Sequence, residues 1–495
     1  MTFSDERGAA PTILIILGVT GDLVSLKITP ALFHLFQKKK MPDRFRVVGF
    51  ARRAWTKDFF YAHLTESIRS HFSRKPKSAD LRPFLKLFSY HQGDFSESRD
   101  FYNLADELKK IDDAWGMCSN KLFYLSASPF NYEIILRHLA KSGLSKSCAN
   151  EGGRAQPQST GAGWTRIIVE KPFGTNLKTA QNLDRLLGAL FAETQIYRID
   201  HYLGKEMLQN ILTFRFSNNL FEENWTARSI EKINVRALEK IGVQERAGFY
   251  DTIGALKDYG QNHLLQMLAL VTMDHPRTYD ARSIREARAR LLSSLHRPTK
   301  KDILRYSFRG QYDGYRDIPG VARNSVTETY FKVRALLDAP RWRGMPIYLE
   351  SGKVMHEVRK EIEITFRHPF PCLCPSNVLE HYKNRVIFRL EPKDEILIYF
   401  WAKKPGFEYA MEEQVLRFSF PDGPKNTCSL EAHERLLLDC ITGDQTLFVR
   451  TDEIVSMWKF IDPIIRAWQK NRVPLKSYTP HSDTIRIESE HIEEI

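Results

Sequence analysis

The sequence predicts a two-domain chain: an α/β domain built on a parallel sheet, then a large α+β domain with a mostly antiparallel sheet. Three observations predict it. Thr12-Ile-Leu-Ile-Ile-Leu17 is a nearly all-aliphatic run, rich in β-branched residues, that stops at Gly18. This is the pattern of a strand buried on both faces of a parallel sheet. A helical stretch from Leu26 to Lys38 and a second apolar run, Phe45-Arg-Val-Val-Gly-Phe50, complete one βαβ unit. After about residue 200 the texture changes to strand-like segments without regular helical crossovers.

In the first part, Lys121–Leu125 and Thr165–Val169 read as further strands. Pro30 falls in the expected first turn of its helix, where a missing N–H costs little. The Gly-, Ser-, Gln- and Ala-rich stretch from Leu144 to Trp164 reads as a surface insertion. In the second part, Ile230–Arg236, Thr327–Val333, Glu361–Phe366, Asn384–Phe388 and Glu395–Tyr399 alternate as half-buried strands, with one wet face. Helical stretches such as Gln261–Met273 and His433–Cys440 are expected to cover the other face. The expected division is 1–199 and 200–495.

Composition narrows the class. The 495 residues are 42% hydrophobic and 27% charged, a globular balance. The net charge of +13 is scattered, and its longest run, Lys38-Lys39-Lys40, reads as a helix C-terminus. No stripe of aromatic and basic residues suggests nucleic-acid binding. A basic balance also suits a phosphorylated small substrate. No run reaches the roughly 18 apolar residues of a membrane span. The start, MTFSDERGAAP, has no apolar signal core. Six cysteines (Cys118, Cys148, Cys372, Cys374, Cys428, Cys440) show no paired framework. A reducing cytoplasm is the expected location.

The turn Gly18-Val-Thr-Gly21-Asp22-Leu23 keeps only a G-x-x-G spacing of the dinucleotide fingerprint. Glycines there let the backbone approach a pyrophosphate, and the helix N-terminus offers free N–H groups. At the end of the second strand, where an NAD site carries an acid, stand Arg52 and Arg53. Guanidinium groups suit a 2′-phosphate, so the expected cofactor is NADP. Three further clusters carry chemistry. Glu170-Lys171-Pro-Phe-Gly174 follows a buried strand. Arg198-Ile-Asp200-His201-Tyr202-Leu-Gly-Lys205-Glu206 groups donors suited to a phosphate dianion. In Asp258-Tyr-Gly-Gln-Asn-His263-Leu-Leu-Gln-Met267 a histidine opens an apolar helical run, which favours a neutral, basic imidazole. For each histidine taken alone, a satisfied structural role is the better reading.

Taken in order, GVTGDL, EKPFG, RIDHYLGKE and QNHLLQM resemble the glucose-6-phosphate dehydrogenase family. So do Arg246–Asp251, Arg341–Pro346, Ser351-Gly-Lys353, Glu434–Asp439 and Gly443–Phe448. The resemblance implies a Rossmann-like first domain and oxidation of D-glucose 6-phosphate at C1 to the lactone, with hydride passing to NADP+. It implies His263 as general base and Asp200 as the carboxylate that holds it. His201, Tyr202 and Lys205 would bind the phosphate. Lys171 would contact both sugar and nicotinamide, Glu239 and Asp258 would bond sugar hydroxyls, and Lys353 would reach the substrate from the second domain. Gly18, Gly21, Asp22 and Leu23 would lie against the pyrophosphate, with Arg52 on the 2′-phosphate and Lys27 on the same turn. It implies no metal, and a homodimer or homotetramer.

Three departures stand out. Glu350 replaces a usual arginine before the Ser-Gly-Lys. Val358 stands where a basic residue is frequent, with Arg359 and Lys360 beside it. Ser126-Ala-Ser-Pro129 keeps only the second proline of its segment. Two rival readings follow: the same chemistry on another hexose phosphate, and a regulator that binds NADP or sugar phosphate without turnover.

Overall fold

A computed structural model describes residues 11–72, 75–147, 163–368, 382–408, 410–419 and 428–493. Most of the 144–164 insertion, and Cys148, Cys372 and Cys374, lie outside the described residues.

Where the sequence reading cut the chain once, the compact units interleave. The first comprises 1–174, 178–205 and 422–450; the second comprises 175–177, 206–421 and 451–495.

The first unit holds strands β1 (Thr12–Leu17), β2 (Phe45–Ala51), β3 (Phe88–Gln92), β4 (Asn120–Leu125), β5 (Thr165–Val169) and β6 (Ile196–Ile199). Its sheet, among the described residues, runs in the order β6-β5-β4-β1-β2-β3, all parallel. A two-residue strand, Phe448–Val449, adds antiparallel to β6. Every residue of β1 and β4 is buried, as continuous apolar runs between two neighbours require. The order reverses between β4 and β1, the place where open α/β sheets leave a crevice at their carboxyl ends.

The helix after the glycine turn starts earlier than expected, at Asp22. It winds as a π-turn over Val24–Ile28 and as an α-helix over Thr29–Gln37. Pro30 is therefore well inside it. It has no N–H to return to an earlier carbonyl, and the loosened winding falls just before it.

The helix expected over His433–Cys440 spans Cys428–Thr442 and belongs to this first unit, which corrects its assignment to the second. Glu434 binds His34 Nδ1 at 2.6 Å and Lys38 Nζ at 2.9 Å. Arg166 donates to the carbonyls of Cys440 (2.8 Å) and Ile441 (2.9 Å). Cys440 is free and buried. Cys118 is disulfide-bonded, against the expectation of unpaired cysteines. Pairing depends on how close two Cα atoms come in space, which spacing along the chain does not reveal.

The second unit holds β7 (Ile230–Leu238), β8 (Ser307–Tyr312), β9 (Tyr330–Ala335), β10 (Ile347–Gly352), β11 (Arg359–Phe366), β12 (Arg385–Glu391), β13 (Glu395–Lys403), β14 (Met411–Ser419) and β15 (Leu475–Tyr478). Their order is β14-β13-β12-β11-β7-β10-β9-β8-β15. Only β7–β10 and β8–β15 are parallel among the described pairs.

The polar face of this sheet differs from the wet face expected. In register across neighbouring strands stand Lys332, Glu350, Arg236, Glu361, Arg389 and Glu395, a row of alternating sign. Arg236 bonds Glu350 at 3.2 Å and Glu361 at 3.4 Å; Arg389 bonds Glu361 at 3.1 Å. Lys332, Glu350 and Glu361 are each nearly inaccessible. Opposite charges side by side let long side chains lie over one another and leave water outside.

The row explains the Glu350 departure. Its flanking positions are Arg236 and Lys332, so an arginine there would face two cations. Tyr330 also donates to Glu350, at 2.8 Å.

Candidate active site

The first unit presents the glycine turn at the end of β1. Gly18 has φ +103°, and a Cβ built on it would stand 2.3 Å from the carbonyl oxygen of Ser126, at the end of β4. Only glycine fits, and the bare backbone leaves the approach open to a ligand. Gly21 donates to the Gly18 carbonyl at 3.1 Å and closes the turn into the helix. Asp22 is exposed, Leu23 and Lys27 half-buried. Arg52 and Arg53 are exposed just past β2. Arg53 lies 5.6 Å from the ring centre of Trp55, which stacks on Tyr90. A cradle that excludes any Cβ, a helix start and two accessible guanidinium groups fit the pyrophosphate and 2′-phosphate of an NADP.

Lys171 follows β5, half-buried, before a cis peptide to Pro172. Beside it Glu170 is half-buried. Burial pushes its carboxyl above the usual range, and Tyr124 donates to it at 2.6 Å.

The charged stretch begins as strand β6, an element the sequence reading did not assign. Arg198 is nearly inaccessible and is tied to Asp184 (2.8 Å) and Glu193 (2.9 Å), so its charge serves the fold. At the strand end the chain turns tightly. Asp200 Oδ1 accepts from the amide of Tyr202 at 3.0 Å, and the Asp200 carbonyl accepts from Leu203. The turn groups Asp200, His201, Tyr202 and Lys205. The His201 and Tyr202 rings are 5.1 Å apart, and Lys205 Nζ is 4.8 Å from the Tyr202 ring centre. Two of the four, His201 and Lys205, are partly accessible.

The second unit holds the rest of the expected residues. Glu239 follows β7, and Lys353 follows β10. Their side chains form an ion pair, and Lys360 stands 3.3 Å from the same carboxylate. Tyr259 donates to Glu239 at 2.7 Å. Burial opposes the charge on Glu239, but the two ammonium groups outweigh it and hold the carboxyl at about 2. Lys353 Nζ also lies 5.6 and 5.5 Å from the ring centres of Tyr250 and Tyr259.

The sequence reading missed Tyr259, Tyr250 and Lys360 here. Lys360 had a signal, since it stands two places after Val358. It supplies a second cation beside Glu239.

Asp258 and His263 sit on one helix that starts before the expected Gln261, at Gly254. It is a π-helix over Leu256–Leu264 and an α-helix over Leu265–Thr272. Winding matters for this pair. In an α-helix, five residues sweep about 500°, which sets side chains about 140° apart. The i→i+5 closure of a π-turn brings residues five apart back toward one another. His263 is buried, with its ring 5.6 Å from that of Tyr259; Asp258 is half-buried.

The charge on Glu239 makes a prediction about stability. Its folded value, about 2, lies below the ordinary value of about 4.3. Its contribution is therefore present above pH 4.3 or so and is lost as pH falls through about 2. Glu239→Gln is expected to lower Tm at pH 7, with the gap from the native protein narrowing below about pH 4. Thermal scans across pH check this; a gap that stays constant would refute it.

Comparison with known proteins divides the chain once, near residue 211. Residues 15–210 match the family model described as "Glucose-6-phosphate dehydrogenase, NAD binding domain", and residues 212–494 match its C-terminal domain. The chain belongs to the glucose-6-phosphate dehydrogenase family. A glucose-6-phosphate 1-dehydrogenase of Borreliella burgdorferi is 38% identical over 473 residues, covering 94% of this chain and 93% of that protein. One of Chlamydia muridarum is 35% identical, covering 94% and 92%. Among solved structures, a glucose-6-phosphate dehydrogenase in complex with its substrate glucose 6-phosphate superposes with TM-score 0.83 at 29% identity, over 95% of each chain. The family's two-part architecture, a Rossmann-like NAD-binding domain and a C-terminal domain, is the fold described above.

Proposed function

We propose that this chain oxidises the C1 hydroxyl of D-glucose 6-phosphate to 6-phospho-D-glucono-1,5-lactone with NADP+ as acceptor, the first step of the oxidative pentose phosphate pathway. The observation that carries this reading is the complete RIDHYLGKE stretch, folded as a strand end and tight turn that groups the Asp200 carboxylate with three donors of a kind suited to a phosphate. Membership of an oxidoreductase family supports it.

The roles follow from chemistry. NADP+, when bound, supplies the hydride acceptor. His263 takes the C1 hydroxyl proton as general base, and Asp200 provides the carboxylate that orients the imidazole and stabilises its charged form. His201, Tyr202 and Lys205 hold the phosphate. Holding the far end of the sugar converts remote binding energy into placement of C1. Glu239, kept ionised by Lys353 and Lys360, accepts from a sugar hydroxyl, as does Asp258. Lys353 and Lys171 donate to sugar oxygens. Gly18, Gly21, Asp22 and Leu23 line the pyrophosphate, with Arg52 on the 2′-phosphate. No role here asks for a metal.

The test is absorbance at the reduced-nicotinamide band. Purified protein with glucose 6-phosphate is expected to reduce NADP+ faster than NAD+. Other hexose phosphates are expected to turn over more slowly. No reduction, with both ligands still bound, would overturn the reading in favour of a non-catalytic binder.

A homodimer or homotetramer in the cytoplasm goes with this reading. Among the described residues β14 is an edge strand, and it exposes Val415, Leu416 and Phe418. Such an edge is a ready site for pairing. Light scattering behind size exclusion is expected to give two or four times the 57.6 kDa chain mass. A monomer at micromolar concentration would refute it. No described helix is long and apolar enough to cross a membrane.

A further inference from the structure

Glu328 has no part in the roles above, yet it is buried beside them. Its side chain is 9% exposed. Its Oε1 accepts from the amide of Leu256 at 3.0 Å, and its carbonyl accepts from the amide of Ala255 at 3.0 Å. Leu256 is the first residue of the π-helix that carries Asp258 and His263.

Two neighbours are built around this contact. Gly254, at φ +75°, packs so closely that a Cβ there would stand 2.4 Å from Glu328 Oε1. The next residue, Thr329, accepts from the amide of Lys353 at 2.9 Å, and its Oγ1 and the Tyr478 hydroxyl are 3.0 Å apart. Tyr478 in turn donates to the Lys353 carbonyl at 2.8 Å. One short segment thus fixes the start of the His263 helix and the backbone of Lys353.

The start of this helix needs such an anchor. The first N–H groups of any helix lack partners. A π-helix, whose bonds reach five residues back, leaves more of them than an α-helix does. Without an acceptor at Leu256, the first turn is free to fray or to tighten into the more favourable α winding. A change of one residue in register rotates a side chain by about 100°. Asp258 would then leave its relation to His263.

We propose that Glu328 is a positioning residue: its carboxylate, seated against Leu256 and given room by Gly254, sets the winding that presents Asp258 and His263. The inference rests on the proposed function for the roles of those two residues.

The test uses full-length protein. Glu328→Leu is expected to lower kcat/KM for glucose 6-phosphate by roughly tenfold or more, through both a raised KM and a lowered kcat, with KM for NADP+ unchanged. Glu328→Gln keeps an acceptor and is expected to stay within about threefold of the native enzyme. Gly254→Ala pushes on the carboxylate and is expected to copy the Leu variant. In a Glu328→Leu background it should cost several-fold less than alone, because strain from φ cancels in the cycle while the clash does not.

Amide exchange over Leu256–Leu264 gives a readout independent of turnover: faster in Glu328→Leu, unchanged in Glu328→Gln. Wild-type turnover with Glu328→Leu, or additive effects in the cycle, or a Gln variant as impaired as Leu, would overturn the inference. If Glu328→Leu fails to fold, the Gln and Gly254→Ala variants still decide it. If the native protein reduces no NADP+, the proposed function fails, and the exchange experiment still tests the anchor.

Discussion

Replacing His263 by Asn is expected to lower kcat by about 10²- to 10⁴-fold, the usual contribution of a positioned general base. The side chain is nearly inaccessible and lies on a helix whose remaining residues, Leu264 to Thr272, are all buried. Asn has a similar reach to the near ring nitrogen and leaves little cavity, so the fold should survive the change. Asn cannot take a proton at neutral pH, so the chemical step loses its proposed acceptor while the proposed phosphate grip at His201, Tyr202 and Lys205 is untouched. The loss should therefore appear in kcat and kcat/KM about equally, with KM for glucose 6-phosphate little changed. Raising the pH should recover part of the rate, as hydroxide substitutes for the missing base. Steady-state kinetics against pH check this. A variant that kept more than about a tenth of native kcat would remove His263 from the base role.

Legibility in the sequence followed burial. β1, β2, β4 and β5 declared themselves because a parallel strand covered on both faces needs an unbroken apolar run. β3 did not. Its sequence, FSYHQ, is half polar because only one side of it has a neighbour among the described strands. β6 was hidden because Arg198 looked like part of a ligand site, when its charge is neutralised within the fold by Asp184 and Glu193.

The return of residues 422–450 to the first unit was also out of reach. Nothing in Cys428–Thr442 says which sheet it will meet. The decision is made by Glu434 against His34 and Lys38, and by Arg166 against the helix end. The candidate site residues stood out as a set because their types and order match a family. Their local settings were not. Periodicity alone gives no sign of a π-helix, and a reversed charge at Glu350 looks like damage until the alternating row across the sheet is seen.

Gly18→Ala should be among the most damaging single methyl groups in the first unit. Two costs add. A residue with a Cβ pays about 1–2 kcal/mol to hold a left-handed backbone. The new methyl would also stand 2.3 Å from a backbone oxygen, that of Ser126. A side-chain clash can be relieved by a rotamer change, but this one requires β1 and β4 to part at their carboxyl ends. Overpacking of that kind costs roughly 1–3 kcal/mol or more. The strands resist it, because both are buried along their whole length and Leu17 is in register with Leu125. The variant is expected to lose about 2–5 kcal/mol of stability and, in whatever fraction stays folded, to bind NADP+ at least tenfold more weakly. Denaturant unfolding and fluorescence titration with NADPH separate the two effects. Gly21→Ala is the control. Its Cβ would meet the Gly18 carbonyl oxygen at 3.3 Å and, in ordinary contact, the Ser126 carbonyl oxygen at 3.9 Å, with an ordinary backbone angle. It should weaken the cofactor less and leave stability nearly as it was. Equal effects at the two positions would mean that the turn is not held against β4 in the way the packing requires.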